Sequence, residues 1–106
     1  MLIVPLIAKP SQFLTVPLSG QSCKVSVYAR FWGLFMDVFV SYAPIIQGVI
    51  CEDRNRIIRS KYLGFIGDFA FIDTQGADDP VWTDLGSRFL LAYLTPADLA
   101  AYGFDA

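Results

Sequence analysis

The sequence predicts an all-β domain: a small antiparallel barrel or sandwich of six to eight short strands with a short C-terminal helix. Three observations support this prediction. Apolar and polar residues alternate with period two in several segments, turn-forming residues recur about every 8–12 residues, and a helical repeat is nearly absent. A chain of 106 residues has the usual size of one domain, so we assign residues 1–106 to a single β domain.

The first hairpin is predicted over residues 12–31. A strand over Gln12–Leu18 is followed by a turn at Ser19–Gln21 and a second strand over Ser22–Phe31. In the second strand every other residue is small or apolar, which is typical of a strand with one buried face. The face that we expect to be buried consists of Cys23, Val25, Val27, Ala29 and Phe31.

The middle of the chain continues the alternation. A break around Trp32 precedes a strand over Leu34–Tyr42, and we expect Ala43–Pro44 to end it because proline cannot donate to a sheet ladder. A further strand is predicted over Ile45–Cys51, and extended pairing is predicted to resume over Arg56–Arg59.

The last third of the chain contains two predicted strands and the helix. The strands cover Phe69–Asp73 and Ser87–Leu94, and the loop Thr74–Pro80 between them is rich in turn-forming residues. A short helix is predicted from about Pro96 to Tyr102, since Thr95 is a good N-cap and proline suits the first helical position.

Composition excludes several functions. The chain has no histidine, which removes histidine-based acid–base catalysis and histidine metal sites. Its net charge of −2 disfavours a protein held on nucleic acid by phosphate contacts, so we expect no nucleic-acid partner. No uncharged apolar run reaches the length of about 18 residues that a spanning helix needs, so we expect no membrane partner either.

The two cysteines, Cys23 and Cys51, match no zinc or redox motif. We predict two free thiols that act as small core residues; the alternative is one disulfide, which would imply an oxidising compartment. Because the first residues lack the basic region of a signal peptide, we expect a protein that is made in a cytoplasm.

Two charged clusters are candidate sites. Five aspartates lie between Asp68 and Asp84; they could hold a divalent cation, but their spacing does not fit an EF-hand. We predict no metal and no cofactor, and expect the Asp side chains of the Gly76–Gly86 region to accept hydrogen bonds from loop N–H groups. The basic residues Arg54, Arg56, Arg59 and Lys61 are expected to cover a strand or to meet the acidic loop of the same or a neighbouring molecule.

The segments Phe71–Pro80, Asp84–Arg88 and Leu91–Leu94 resemble the small baseplate plug proteins of contractile-tailed phages. The order and length of the elements fit this family over most of the chain, including the opening Pro10–Ser22. The chain departs from the family in Phe31–Ile46, which is mostly apolar.

The resemblance implies a structural virion protein rather than an enzyme. Such a plug closes the baseplate centre between the hub and spike proteins and the tail tube or tape-measure protein, and a homo-oligomer, most simply a trimer, is expected. It would be located in the virion tail after synthesis in the cytoplasm of the bacterial host. Two alternatives stay open: a small β-barrel binding module of OB or SH3-like type, and a small hydrolase.

The apolar surplus predicts an interface. Hydrophobic residues make up 55% of the chain and charged residues 17%, against about 25% charged in a typical domain. The strand after Trp32 is apolar on both faces, since Phe35 and Phe39 lie opposite the face that should join the core. We therefore predict a protein interface that involves Trp32, Phe35, Phe39, Arg54, Arg56 and Arg59.

Overall fold

The computed structural model describes residues 2–31, 33–58 and 65–101. Within these residues, seven strands form two antiparallel sheets that share one core, so the predicted all-β fold is confirmed in its sandwich form. The strands are β1 (Leu2–Val4), β2 (Ser11–Leu18), β3 (Gln21–Arg30), β4 (Gly33–Val40), β5 (Ala43–Ile50), β6 (Asp68–Asp73) and β7 (Phe89–Leu94); a 3-10 helix covers Trp82–Asp84 and the α-helix α1 covers Pro96–Ala101.

The four-stranded sheet is a meander in the order β2-β3-β4-β5. Its first turn, at Ser19–Gly20, has φ values of 52° and 76°, and the turn between β4 and β5, at Ser41–Tyr42, has φ values of 49° and 70°. Left-handed values at both central residues define the two-residue turns whose twist matches that of paired strands. The predicted turn after β2 is therefore confirmed.

The expectation that Ala43–Pro44 ends β4 is wrong. Ala43 pairs with Val40 across the turn, and Pro44 pairs with Phe39 inside β5. In a two-residue hairpin the second pair exchanges no backbone hydrogen bonds, so the proline nitrogen faces away from β4. Because β5 is an edge strand, the missing N–H costs no ladder bond.

The core lies between the two sheets. Three inward positions of β3 are buried as the alternation predicts, and Ala29 is half-buried. Phe31 is instead 99% exposed, because β3 ends at Arg30 and residue 31 enters the following turn. Several of the largest fully buried side chains come from β3, β4, β6 and β7. They are Val25, Val27, Leu34, Met36, Val38, Phe69, Phe71, Phe89, Leu91 and Tyr93.

The three-stranded sheet has the order β1-β7-β6. Its strand β1 is absent from the sequence prediction because three residues are too few to show a period. The outer side of this sheet forms a second apolar cluster in which Leu99 of α1 packs near Ala70, Ala92 and Leu94. The helix α1 therefore covers this sheet.

The start of α1 is a reciprocal capping box. The Thr95 hydroxyl accepts the N–H of Asp98 at 3.2 Å, and the Asp98 carboxylate accepts the N–H of Thr95 at 3.1 Å. The prediction of Thr95 as N-cap is confirmed. The helix extends to Ala101 in the structure, and the predicted last residue, Tyr102, lies outside the described residues.

The segment after β5 makes isolated bridges instead of the predicted strand over Arg56–Arg59. Asp53 pairs with Phe71 and Arg56 pairs with Ala70, while Arg59 lies outside the described residues. The chain thus runs beside β6, and the next residues, Ile57 and Ile58, enter the core.

The ends of the two sheets are joined near Ile66. The side-chain amide of Gln21 accepts the Ile66 N–H and donates to the Ile66 carbonyl, each at 3.1 Å. The Tyr93 hydroxyl donates to the same carbonyl and lies 2.8 Å from the Ser19 hydroxyl. The backbone at Gly67 passes close to this tyrosine. A Cβ added at Gly67 would lie 2.7 Å from the Tyr93 hydroxyl oxygen.

Both cysteines are free thiols in the core, as the sequence predicts. Burial raises the pKa of both thiols. Cys23 lies on the buried face of β3, and Cys51 directly follows β5.

Because both sheets share one core, removing an aromatic ring from that core should lower the free energy of unfolding. Phe71→Ala should lower the free energy of unfolding by about 3–5 kcal/mol, because Phe71 is fully buried and leaves a cavity. Ile7→Ala is the control, since Ile7 is 55% exposed, and should change stability by no more than about 0.5 kcal/mol. Urea unfolding followed by circular dichroism measures both; equal effects would contradict the assignment of the core.

Candidate interaction face and its supporting loop

The four-stranded sheet turns an aromatic surface away from the core. The register aligns Tyr28, Phe35 and Ile50 in one row across β3, β4 and β5. We name this surface the outer face; its residues are Ser11, Phe13, Thr15, Lys24, Ser26, Tyr28, Phe35, Asp37, Phe39, Pro44 and Ile50. Phe13 is 68% exposed and Ile50 is 39% exposed.

The rings of the outer face contact each other and two cations. Tyr28 stacks on Phe35 with 6.2 Å between ring centroids. The Arg30 guanidinium lies 4.5 Å above the Tyr28 ring, and the Lys24 ammonium lies 4.7 Å above the Phe13 ring. Cations are attracted by the quadrupole of an aromatic ring, so these contacts hold the two charged side chains against the rings.

Asp37 anchors the middle of the outer face. Its Oδ1 accepts the Tyr28 hydroxyl at 2.9 Å and the Gly48 N–H at 2.7 Å. Gly48 has a left-handed φ of 67°, and the β4–β5 register shifts next to Met36 and Val38, so β5 bulges toward this carboxylate. Burial, with a further contribution from Asp37, raises the pKa of Tyr28.

The predicted interface residues do not form one cluster. Phe35 and Phe39 lie half-buried on the outer face. Arg54 and Arg56 lie instead on the segment that pairs with β6, in the other sheet. Trp32 and Arg59 lie outside the described residues.

A second candidate feature is the charged loop between β6 and β7. Its hydrogen bonds and ion pairs converge on Asp73. The Arg88 guanidinium donates to both Asp73 oxygens, at 2.9 and 2.8 Å, and the N–H groups of Gln75 and Asp78 each donate at 2.9 Å. Arg88 also pairs with the Asp78 carboxylate at 2.7 Å. The prediction for the Gly76–Gly86 region is not confirmed in that form: the loop N–H groups donate to Asp73, which precedes the region, while the Asp78 carboxylate pairs with Arg88.

Arg54 meets this loop within its own chain. Its guanidinium donates to the carbonyls of Asp73 and Gly76, at 3.4 and 3.3 Å, and pairs with Asp53. The Asp79 carboxylate in turn accepts the Asp53 N–H at 3.0 Å. Charged groups therefore fix the shape of the loop.

The same contacts control the ionisation of Asp73. The Arg88 guanidinium, with the N–H groups of Asp78 and Gln75, holds the pKa of Asp73 well below its usual range. Within residues 2–31, 33–58 and 65–101, no three potential metal ligands come together. The perturbed carboxylate is accounted for by a bidentate structural ion pair.

Sequence reasoning missed Phe13, Lys24, Tyr28 and Asp37 as members of the outer face. The alternation places Lys24 and Tyr28 on the polar side of β3, but it does not give the cross-strand register. The sequence does contain one signal of this surface. Aromatic residues occur at alternate positions of neighbouring strands, and such residues lie side by side when the strands pair.

A sandwich with a complete core, an ion-paired loop and an exposed aromatic sheet face is typical of a protein that works by contact with other proteins. The family model described as the cyanophage baseplate Pam3 plug gp18 matches residues 1–96 of the 106, so the chain belongs to this family of phage baseplate plug proteins. The resemblance seen around Phe71–Pro80 and Asp84–Arg88 is thereby confirmed. No curated protein matches the chain.

Membership in this family gives a structural role in the phage baseplate, a location in the virion tail and association with other baseplate proteins. In the described part of the chain, no helix is both long enough and apolar enough to cross a membrane.

The Asp73–Arg88 pair predicts an acid-dependent stability. Because the pKa of Asp73 is lower in the folded protein, its contribution is present above the unfolded-state pKa of about 3.9 and is lost as the pH falls below it. Asp73→Asn should therefore lower the melting temperature at pH 7, and the difference from wild type should shrink as the pH falls toward about 3.

Glu52→Gln is the control, since the Glu52 carboxylate accepts the Asn55 side-chain amide at 3.4 Å and a glutamine oxygen can accept it as well. It should match the wild type across the same pH range. Calorimetry at stepped pH values measures both variants, and a pH-independent loss in Asp73→Asn would contradict the assignment.

Proposed function

We propose that this protein is a steric plug at the centre of a contractile-tail baseplate, between the hub and spike proteins and the tail tube or tape-measure protein. The family membership supports the baseplate setting. The proposal depends on the aromatic outer face. The core is complete without this face, so its aromatic side chains can be buried against another protein.

The burial pattern distinguishes the two sheets. The outer side of the three-stranded sheet is occupied by α1, and Ala92 and Leu94 beneath it are at most 3% exposed. On the four-stranded sheet, Phe13 and Ile50 stay exposed. Aromatic residues are enriched in the centres of protein interfaces, where they provide much of the binding energy.

Partners meet this sheet through its face rather than its edges. The edge strand β2 contains Pro17, and the edge strand β5 contains Pro44 and the bulge at Gly48. Proline and bulges at sheet edges hinder the addition of a further strand. Side-chain packing on Phe35 and Phe39 is thus the favoured mode of contact.

The role is steric rather than catalytic. A plug must resist displacement, and the paired charges that fix the loop after Asp73 serve rigidity. We propose that copies of the chain form a ring, most simply a trimer that matches a trimeric hub, with the outer face buried against a neighbouring copy or a hub subunit.

Phe39→Asp tests the use of the outer face. The substitution puts a carboxylate in the middle of the proposed interface, so assembly and binding to co-expressed baseplate proteins should be lost while the β-rich circular dichroism spectrum is retained. Light scattering and affinity capture with the hub, spike and tube proteins measure the two effects.

Ile7→Asp is the matched control, because Ile7 is an exposed apolar residue outside the outer face and is 55% exposed. It introduces the same charge and should assemble like the wild type. Normal assembly and normal partner binding of Phe39→Asp would contradict the proposed function.

A further inference from the structure

We propose that the outer face receives the loop around Val81 of a second copy, so that copies join head to tail. This inference rests on the proposed function only in taking the outer face as an interface. It adds the occupant: an exposed apolar side chain with a carboxylate beside it, supplied by the same protein.

The receiving site is a depression at one end of the outer face. It is lined by Thr15, Ser22, Lys24, Phe39, Ser41 and Tyr42. Phe39 and Tyr42 give it apolar walls, and Tyr42 is 98% exposed. The four hydroxyl groups in its lining are hydrogen-bond donors suited to a carboxylate.

Lys24 determines the charge that the occupant must carry. Its ammonium lies over the Phe13 ring and makes no ion pair within the described residues. Asp37, the acid of this face, already accepts hydrogen bonds from Tyr28 and Gly48. Covering Lys24 with a purely apolar partner would leave a buried unpaired charge, so the partner must bring a carboxylate.

The loop that precedes β7 offers this combination. Val81 is 50% exposed, and Asp84 follows three residues later at the end of the 3-10 helix. The Asp84 carboxylate accepts no hydrogen bond within the described residues. An apolar tip with an unpaired acid beside it is the chemical complement of the depression around Lys24.

The loop has a fixed shape before binding. The Asp84 N–H donates to the Val81 carbonyl at 3.2 Å, and the Leu85 N–H donates to the Trp82 carbonyl at 3.3 Å. Leu85 is buried. A Cβ at Gly86 would clash with the Leu6 carbonyl, so the base of the loop packs against the segment that connects β1 to β2. A rigid loop loses little conformational entropy on docking.

The contact joins two different surfaces. The depression belongs to the four-stranded sheet, and the loop connects β6 to β7 of the three-stranded sheet. A contact between unlike surfaces is heterologous, and it closes into a ring when the rotation between copies divides a full turn. Each copy would use its depression and its loop at the same time.

A mixing experiment separates this arrangement from face-to-face association. Phe39→Asp disables the depression and leaves the loop intact; Val81→Asp disables the loop and leaves the depression intact. Each variant alone should be monomeric by analytical ultracentrifugation at about 100 μM, and an equal mixture should form a one-to-one complex, since one contact remains possible.

If Val81→Asp assembles like the wild type while Phe39→Asp does not, the head-to-tail contact is overturned and the outer face stands as the interface of the proposed function. A wild-type chain that stays monomeric in the same measurement overturns the head-to-tail contact as well.

A charge exchange tests the Lys24–Asp84 pair. Lys24→Glu and Asp84→Lys should each weaken self-association by about tenfold or more, because each places like charges together, and the double variant should regain it. Lys9→Glu is the control, since Lys9 is exposed and outside the outer face, and should associate normally. Failure of the double variant to recover, with all variants folded by circular dichroism, overturns the pairing.

Discussion

A two-layer sandwich buries one side of each sheet, and this constraint governs the whole molecule. The inner sides of both sheets contribute Val25, Met36, Phe71 and Leu91 to one core, so folding is complete without the outer side of the four-stranded sheet. The other sheet has α1 as its cover. An apolar composition of 55% then leaves aromatic side chains on a sheet face that no described element covers.

The charged groups support this arrangement from the other sheet. Asp73 and Arg88 hold the loop between β6 and β7, and Arg54 fastens the same loop to the segment that pairs with β6. The bidentate pair spans 15 positions of sequence and connects the end of β6 to the start of β7. The loop is thereby held in one shape, while Phe13 and Ile50 on the outer face stay exposed.

Much of the fold is predictable from the sequence because period-two alternation reports burial directly. Val25 and Met36 follow it, and the capping residue Thr95 marks the start of the helix. The turn at Ser41–Tyr42 is not predictable in this way, because neither residue is a glycine although both adopt left-handed φ values. Three-residue β1 is also too short to show a period.

The candidate site is predictable in part. Phe35 and Phe39 are found because their strand is apolar on both faces, but their alignment with Tyr28 and Phe13 depends on strand register, which a single sequence does not display. The expectation that the basic cluster meets the acidic loop is confirmed for Arg54, but a single sequence does not show that Arg54 and Arg56 lie beside β6 rather than on the outer face. The partner of Asp73 is likewise set by the β6–β7 pairing.

The central claim is that the outer face is buried in the assembled tail. A cryo-electron microscopy map of an intact baseplate that resolves this chain tests it most directly. The account predicts that Phe13, Phe35 and Phe39 contact a neighbouring subunit. A map in which the outer face is open to solvent, while other surfaces of the chain make all the contacts, would contradict it.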